Sequence, residues 1–176
     1  MEEMEVKLAE KAISGDEEAF LSLLYLHKEA LYRTALAYLK NEEEALEAVQ
    51  EVTYRAFEKI GTVQKPQYIK TWLIRIMLNY CNDTVKLRKR IVTDVNAHLQ
   101  TGISEDYTYL EVEEALAQLT EEERELVHLK YIHDIKIKDI AEMSSTPEGT
   151  VKTRLYKALR QLRSFMDGKG ERRHVR

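Results

Sequence analysis

With 176 residues, of which six are glycine and two proline, the chain has room for one mid-sized domain or two small ones and few places where a helix must break. Its lone cysteine, Cys81, excludes an intramolecular disulfide, and its start, MEEMEVKLAE, has neither the basic nor the apolar region of a secretory signal, so a reducing cytoplasm is expected. No apolar run approaches the roughly 18 residues that span a bilayer, so a soluble chain with no direct membrane insertion is expected, and the formal net charge of -4 hides strong local blocks.

Ser14 and Glu17 stand at capping-box spacing and open a helix in which Phe20, Leu23, Leu24, Leu31, Ala35 and Tyr38 recur at helical intervals. Asn41 with Glu44 repeats the start signal, after which Ala45, Leu46, Val49, Val52, Ala56, Phe57 and Ile60 share one face until Gly61 ends it. Residues 61–66 read as a loop. Ile69, Trp72, Leu73, Ile76 and Tyr80 then resume the period, and the segment runs into the basic run at 86–90. Residues 1–90 are thus expected to form a first domain of three long helices. From 91 to 108 the period is lost among Thr, Asn, Gly, Ser and Asp, the composition of a linker. Val112, Ala115, Leu116 and Leu119 restart a helix, Thr120 with Glu123 opens another to about Tyr131, and 136–143 and 147–166 supply two more. The second domain therefore covers 109–166, and the tail 167–176 is expected to be disordered. The fold class expected is all-α, two small helical domains joined by a flexible linker, the C-terminal one a helix-turn-helix.

Residues 1–60 carry seven basic against fourteen acidic side chains and 91–150 four against fourteen, whereas 61–90 carry seven against one and 151–176 nine against two. Each basic block closes a helical segment. Phosphate binding needs such local positive density whatever the net charge.

The sharpest local signal is KIKDIAEMSSTPEGTVKTRLYKAL, a short helix, a turn of about three residues and a second helix. Thr146 is a fitting N-cap, and Pro147 occupies the first helical position, where its missing N–H costs nothing. At 100° per residue Val151, Leu155, Ala158 and Leu162 cluster on one face. Gly149, Thr153, Tyr156 and Arg160 lie opposite, with Lys152 and Lys157 on the flanks and Thr150 and Arg154 beside them. That outward face suits DNA, and Gly149 would let backbone approach the duplex. On the helix after Asn41, residues Glu47, Gln50, Glu51 and Tyr54 form a polar stripe at i, i+3, i+4 and i+7, a pattern that by spacing alone is ordinarily a solvated face. Arg75, Asn79, Asn82, Lys86 and Lys89 form a third stripe, expected opposite Trp72 and Ile76, and with Tyr80 nearby it suits contact with backbone phosphates and unstacked bases.

No Ser/His/Asp order, phosphate-binding glycine loop or zinc spacing stands out, and His128 and His133, five apart, do not share a helix face. No metal, cofactor or catalytic residue is therefore expected, and Cys81 reads as a small helix residue.

These motifs are similar to those of extracytoplasmic-function sigma factors, the compact members of the sigma-70 family. ALEAVQEVTYRAF resembles the family segment that grips the clamp helices of the polymerase beta-prime subunit, with Glu47, Gln50 and Glu51 at its acid-x-x-Gln-Glu positions. KTWLIRIMLNYCNDTVKLRKR resembles the segment of promoter opening and -10 recognition, with Trp72, Leu73, Arg75, Asn79, Asp83 and Lys86 matching. PEGTVKTRLYKAL resembles the -35 reader. The resemblance covers about residues 15–165 and implies a two-handed specificity subunit rather than an enzyme. Its N-terminal domain would dock on core RNA polymerase and capture an unpaired -10 base near the 61–72 loop, while its C-terminal domain would engage the beta flap and the -35 element. It also implies a cognate anti-sigma factor, often membrane-anchored. On the recognition helix, Lys152 and Lys157 are expected to read bases and Arg154 and Arg160 to anchor phosphates. The sequence departs from the family at Ser145, where a turn glycine is usual, at Ser144 and Thr146, where apolar residues are common, and at Glu148, an acid near DNA. A dimeric helix-turn-helix regulator is the alternative that the basic helix alone would allow, but it leaves the 47–54 stripe and the Trp72 segment unexplained.

Overall fold

The computed structural model describes the backbone of residues 2–95 and 114–173 and the side chains of 3–88 and 114–167. Among the described residues there are helices and turns and no strand, and the chain divides after residue 96 into two compact units.

In the first unit, α1 (Glu2–Ile13), α2 (Glu17–Leu39), α3 (Glu42–Lys59) and α4 (Ile69–Val95) are joined by short turns, two of them 3-10 turns at Ile60–Thr62 and Pro66–Tyr68. α2 is central and packs against each of the other three helices. Leu23, Leu31, Val52, Ile69, Leu73 and Met77 are fully buried, each contributing about 1.5–3 kcal/mol of hydrophobic stabilisation. Ala45, Ala48 and Ala56 bring the α3 backbone close to its neighbours.

The helix starts follow local chemistry, with one correction. Asn41 caps α3 through Glu44 N–H (3.0 Å) as its spacing predicts, but α2 is capped by Asp16, which accepts from Ala19 N–H at 2.9 Å. Ser14 instead donates to Glu10 O at 2.9 Å. The reason lies in α1, a helix that the apolar pattern does not announce. It ends with Gly15 at φ 97°, where Gly15 N–H reaches Ala12 O and Asp16 N–H reaches Lys11 O, so the turn occupies Ser14 and hands the capping role to Asp16. Two residues assigned to the α3 apolar face, Leu46 and Phe57, are about half exposed. They stand 100–120° from Ala45 on the helical wheel, at the margin of the buried face, and Phe57 meets Phe20 in an edge-to-face pair with ring centroids 5.4 Å apart.

α4 runs to Val95, five residues into the stretch read as linker. No glycine or proline interrupts 69–95, and a formed helix propagates at one hydrogen bond per residue. The rest of that stretch lies outside the described residues.

In the second unit a helical turn at 114–117 leads to α5 (Glu121–Val127), a wide π-type turn at His128–Ile132, α6 (Ile137–Met143) and α7 (Glu148–Arg173). Thr120 and Glu123 form the complete capping box that their spacing predicts. α7 packs on α5 and α6, and Leu119, Val127, Leu155 and Ala158 centre its core. α7 continues through Gly168 and Gly170 to Arg173, so most of the tail expected to be disordered is helical backbone; two glycines cost about 1 kcal/mol each, too little to stop a helix already 20 residues long.

Candidate functional site

On α3, Glu47, Gln50 and Tyr54 are exposed and Glu51 is partly so, all on the side away from α2. Glu51 accepts from Arg55 Nε at 2.7 Å, and the Tyr54 hydroxyl donates to Glu58 at 2.9 Å, which raises the phenol pKa because the bond favours the protonated form. Leu46 and Phe57 lie on the flank of this stripe, so the outward face mixes carboxylates with exposed apolar groups. The sequence pattern conceals them, because apolar residues at near-helical spacing read as core.

α4 carries the second group. Trp72 and Tyr80 are partly buried against the core, Asn79, Asp83 and Lys86 are exposed, and Arg75 is intermediate. Asn82 departs from the expected exposed stripe, being only 7 % exposed. It lies about 180° round the wheel from Leu73, where Thr71, Ile74 and Leu78 are buried as well, so α4 has two buried sides rather than one. Arg55 reaches from α3 to lie over the Tyr80 ring, 5.1 Å from its centroid, so one guanidinium touches both the α3 stripe and the α4 group. Within the basic run, Arg88 donates to Leu39 O at 3.3 Å and pairs with Glu44, fastening the α2–α3 junction to α4. Burial pushes the Cys81 thiol up to about 12, and its Sγ lies 3.7 Å from Met77 Sδ, so it is a packing group and not a nucleophile.

In the second unit α6, the turn and α7 follow one another as the motif predicts. Ser145 holds φ 51°, its N–H reaching Glu142 O at 3.4 Å and Thr146 N–H reaching Ala141 O at 2.9 Å. This is the helix-ending turn that favours glycine, made with serine at a cost of about 1 kcal/mol. Thr146 is not the N-cap expected of it: its hydroxyl donates back to Ser144 O (3.1 Å), and Pro147 O accepts the first α7 bonds, from Thr150 and Val151 N–H, so Pro147 holds the cap position and the helix begins at Glu148.

Val151, Leu155 and Ala158 are buried, while Gly149, Thr150, Lys152, Thr153, Arg154, Tyr156, Lys157 and Arg160 are exposed, as the wheel predicts. Open space surrounds the position where Gly149 would carry a Cβ, leaving its backbone approachable. The Thr153 hydroxyl donates to Gly149 O at 2.8 Å. Of the ion pairs here, sequence spacing reveals the one-turn Glu148–Lys152 pair but not the two that cross to α5. Lys152 meets Glu148 at 2.7 Å, Arg154 meets Glu122 at 3.4 Å, and Lys157 meets the buried Glu123 at 2.9 Å. Glu123 also accepts from Thr120 N–H (3.0 Å), and these donors, Lys157 first, hold its carboxyl below the usual value.

Among the described residues no group of three or more His, Cys, Asp or Glu could hold a metal, and no helix is long and apolar enough to cross a membrane. The model for sigma-70 region 2 matches residues 23–91 and that for sigma-70 region 4 matches residues 109–162. The chain is 34 % identical to the RNA polymerase sigma factor SigV of Bacillus subtilis over 78 % of its length and 84 % of that protein's. It is 26 % identical to the ECF RNA polymerase sigma factor SigW of the same organism, over 93 % and 97 %. Its fold is similar to that of the sigma factor RpoE from Bartonella quintana, solved with the anti-sigma factor NepR, at a TM-score of 0.59 and 23 % identity over 84 % of this chain and 96 % of that one.

Proposed function

The chain belongs to the RNA polymerase sigma factors, in their extracytoplasmic-function group, whose members are promoter-specificity subunits and not enzymes, and on that premise we propose which of its surfaces carry each part of the work. The outward face of α3, with Glu47, Gln50, Glu51 and Tyr54 flanked by Leu46 and Phe57, docks on the clamp helices of beta-prime. Carboxylates steer the approach and apolar groups supply the area that holds it. The 61–72 loop and the start of α4 take the -10 strand, with Trp72, Arg75, Asn79, Tyr80, Asp83 and Lys86 around the unpaired base and its backbone. Base capture needs a strand already opened, which the polymerase bubble supplies. α7 enters the -35 major groove with Gly149, Thr150, Lys152, Thr153 and Tyr156 toward base edges. Arg154 and Arg160 lie toward phosphates, and Lys157, expected from the sequence to read bases, is assigned with them instead because its side chain, like that of Arg154, leans to the α5 side.

The observation that carries this reading is that a carboxylate-bearing outward helix and a basic helix-turn-helix occur in one chain, each matched by its own sigma-70 region. A free-standing dimeric regulator would need only the second. The test is run-off transcription with core RNA polymerase. Added protein is expected to start transcripts at a subset of promoters while binding the same DNA weakly alone, and tight palindrome-dependent binding by a dimer, without effect on core polymerase, would overturn it. A cytoplasmic protein held by a cognate anti-sigma factor completes the proposal, supported by the anti-sigma complex in which its structural relative was solved. Expression in a host without its chromosomal neighbours is then expected to give constitutive transcription from the target promoter; silence there would remove the inhibitor.

A further inference from the structure

α1 lies outside both matched regions, and the polymerase and promoter surfaces proposed above make no use of it. Yet it is not a loose extension. Ala9 and Ala12 are fully buried, and Leu8 and Ile13 pack against the same core as α2, α3 and α4. Besides α2, α1 contacts both 3-10 turns, Ile60–Thr62 and Pro66–Tyr68, which together make up most of the loop leading into α4. At Gly61 a Cβ would stand 4.0 Å from Ile13 O, so the end of α1 sits directly against the start of that loop.

A polar contact fastens α1 at its other end. His27, on α2, is 6 % exposed, and its Nε2 stands 3.1 Å from Glu5 Oε1 on α1. Burial lowers the His27 pKa, the Glu5 carboxylate opposes that shift, and Lys70 adds to it, so charges from α1 and the first turn of α4 both reach this α2 imidazole. Nε2 and the carboxylate are close without the alignment of a hydrogen bond, so the tie between α1 and α2 is electrostatic attraction in a buried setting rather than a directed bond. Its natural effect is to fix the position of α1, and through Ile13 and the two 3-10 turns the position of the loop.

We infer that α1 is a brace for the loop that captures the -10 base, with Glu5 and His27 as positioning residues for -10 recognition. The inference rests on the reading of the 61–72 loop as the capture site. Neither residue lies on the α3 stripe or in the helix-turn-helix, so the brace acts on one promoter element and leaves the other contacts alone.

The experiment uses the full chain in holoenzyme and a promoter panel with single-base changes in the -10 and the -35 elements. Glu5→Gln keeps the side-chain size and removes the charge, His27→Ala removes the partner, and His27→Gln keeps an N–H donor for Glu5. Glu5→Gln and His27→Ala are expected to reduce discrimination among -10 bases roughly three- to tenfold, while -35 discrimination and competition for core polymerase stay unchanged, with His27→Gln recovering part of the loss. A uniform fall at every promoter, tracking a lower Tm, would make the contact merely structural and overturn the brace, as would unchanged -10 preferences. Gln64→Ala and Gln67→Ala, in the loop itself, separate the two readings. If they alter -10 preference and the Glu5 and His27 variants do not, the brace alone fails. If none of the four alters it, base capture by this loop fails and the brace falls with it.

Discussion

On α3 the side chains of the proposed polymerase face pair within their own helix, Glu51 with Arg55 at 2.7 Å and Tyr54 with Glu58 at 2.9 Å, whereas on α7 two basic side chains reach across to α5, Arg154 to Glu122 and Lys157 to Glu123. A pair one turn apart on an exposed helix contributes about 0.3–0.5 kcal/mol and can be exchanged without disturbing anything else. A pair between helices, with one partner buried in a capping box, belongs to the packing as well as to the surface. The α3 face thus keeps its docking chemistry apart from the core, while α7 uses some of the same groups for both. Variants on α3 should read as binding defects, and variants on α7 as mixtures of binding and stability.

The largest expected effect probes how far polar groups are built into the second unit. Burial pushes His128 to about 4 from its ordinary 6.5, with the charges of His133 and Arg124 adding to the shift. Between those values the unfolded chain takes up a proton that the folded one refuses. Stability is therefore full above about pH 6.5 and falls by up to about 3 kcal/mol on the way to pH 4. Glu123, held below its ordinary 4.5, adds a further loss as pH drops beneath that value. Amide hydrogen exchange in α5–α7 measured across this range checks it, and His128→Leu is expected to flatten the upper part of the curve.

Next in size is the α3 face. Glu51→Arg is expected to weaken competition for core polymerase by roughly 10- to 100-fold, and Gln50→Ala by less, with stability lowered by under about 1 kcal/mol. A loss of affinity explained entirely by unfolding, seen in parallel urea titrations, would break the comparison.

Lys157→Ala tests the opposite claim for α7. Removing the partner of Glu123 is expected to lower stability by about 1 kcal/mol and shift the urea midpoint, whereas Lys152→Ala, whose partner Glu148 is exposed on the same helix, leaves the midpoint in place. In holoenzyme titrations at two salt concentrations Lys152→Ala is expected to relax base preference at -35, and Arg154→Ala to weaken all sequences alike. The smallest effect is at the turn. Ser145→Gly relieves the left-handed serine and is expected to add roughly 0.5–1 kcal/mol, read as a higher Tm.

The features legible in the sequence are those set by a few adjacent residues. Asn41 with Glu44 and Thr120 with Glu123 cap as their spacing says, because a cap is a contact over three residues. Ser14 misleads because the same letters serve the end of one helix and the start of the next, and only Gly15 at φ 97° decides between them. α1 stays hidden because two alanines carry much of its buried side, and alanine gives little hydrophobic contrast. The polar stripes on α3 and α7 are legible as periodicity, but the Tyr80 ring beneath Arg55 and the partners of Arg88 and Lys157 lie on other helices, and no local pattern encodes such a meeting. Leu46 and Phe57 illustrate the converse, since spacing names them apolar and only packing shows that nothing covers them fully.

The core of the first unit has a consequence for the order of synthesis. All the buried residues of that cluster fall between Ala9 and Cys81, and its connections are short turns between successive helices, a topology that folds in microseconds to milliseconds. A ribosome adding about 5–20 residues per second needs roughly 4–16 seconds for residues 97–176. The α3 face is therefore complete while the -35 reader is still being translated. A nascent chain cut short in its second half would carry a finished polymerase grip with no reader behind it, occupying core enzyme without directing it to a -35 element.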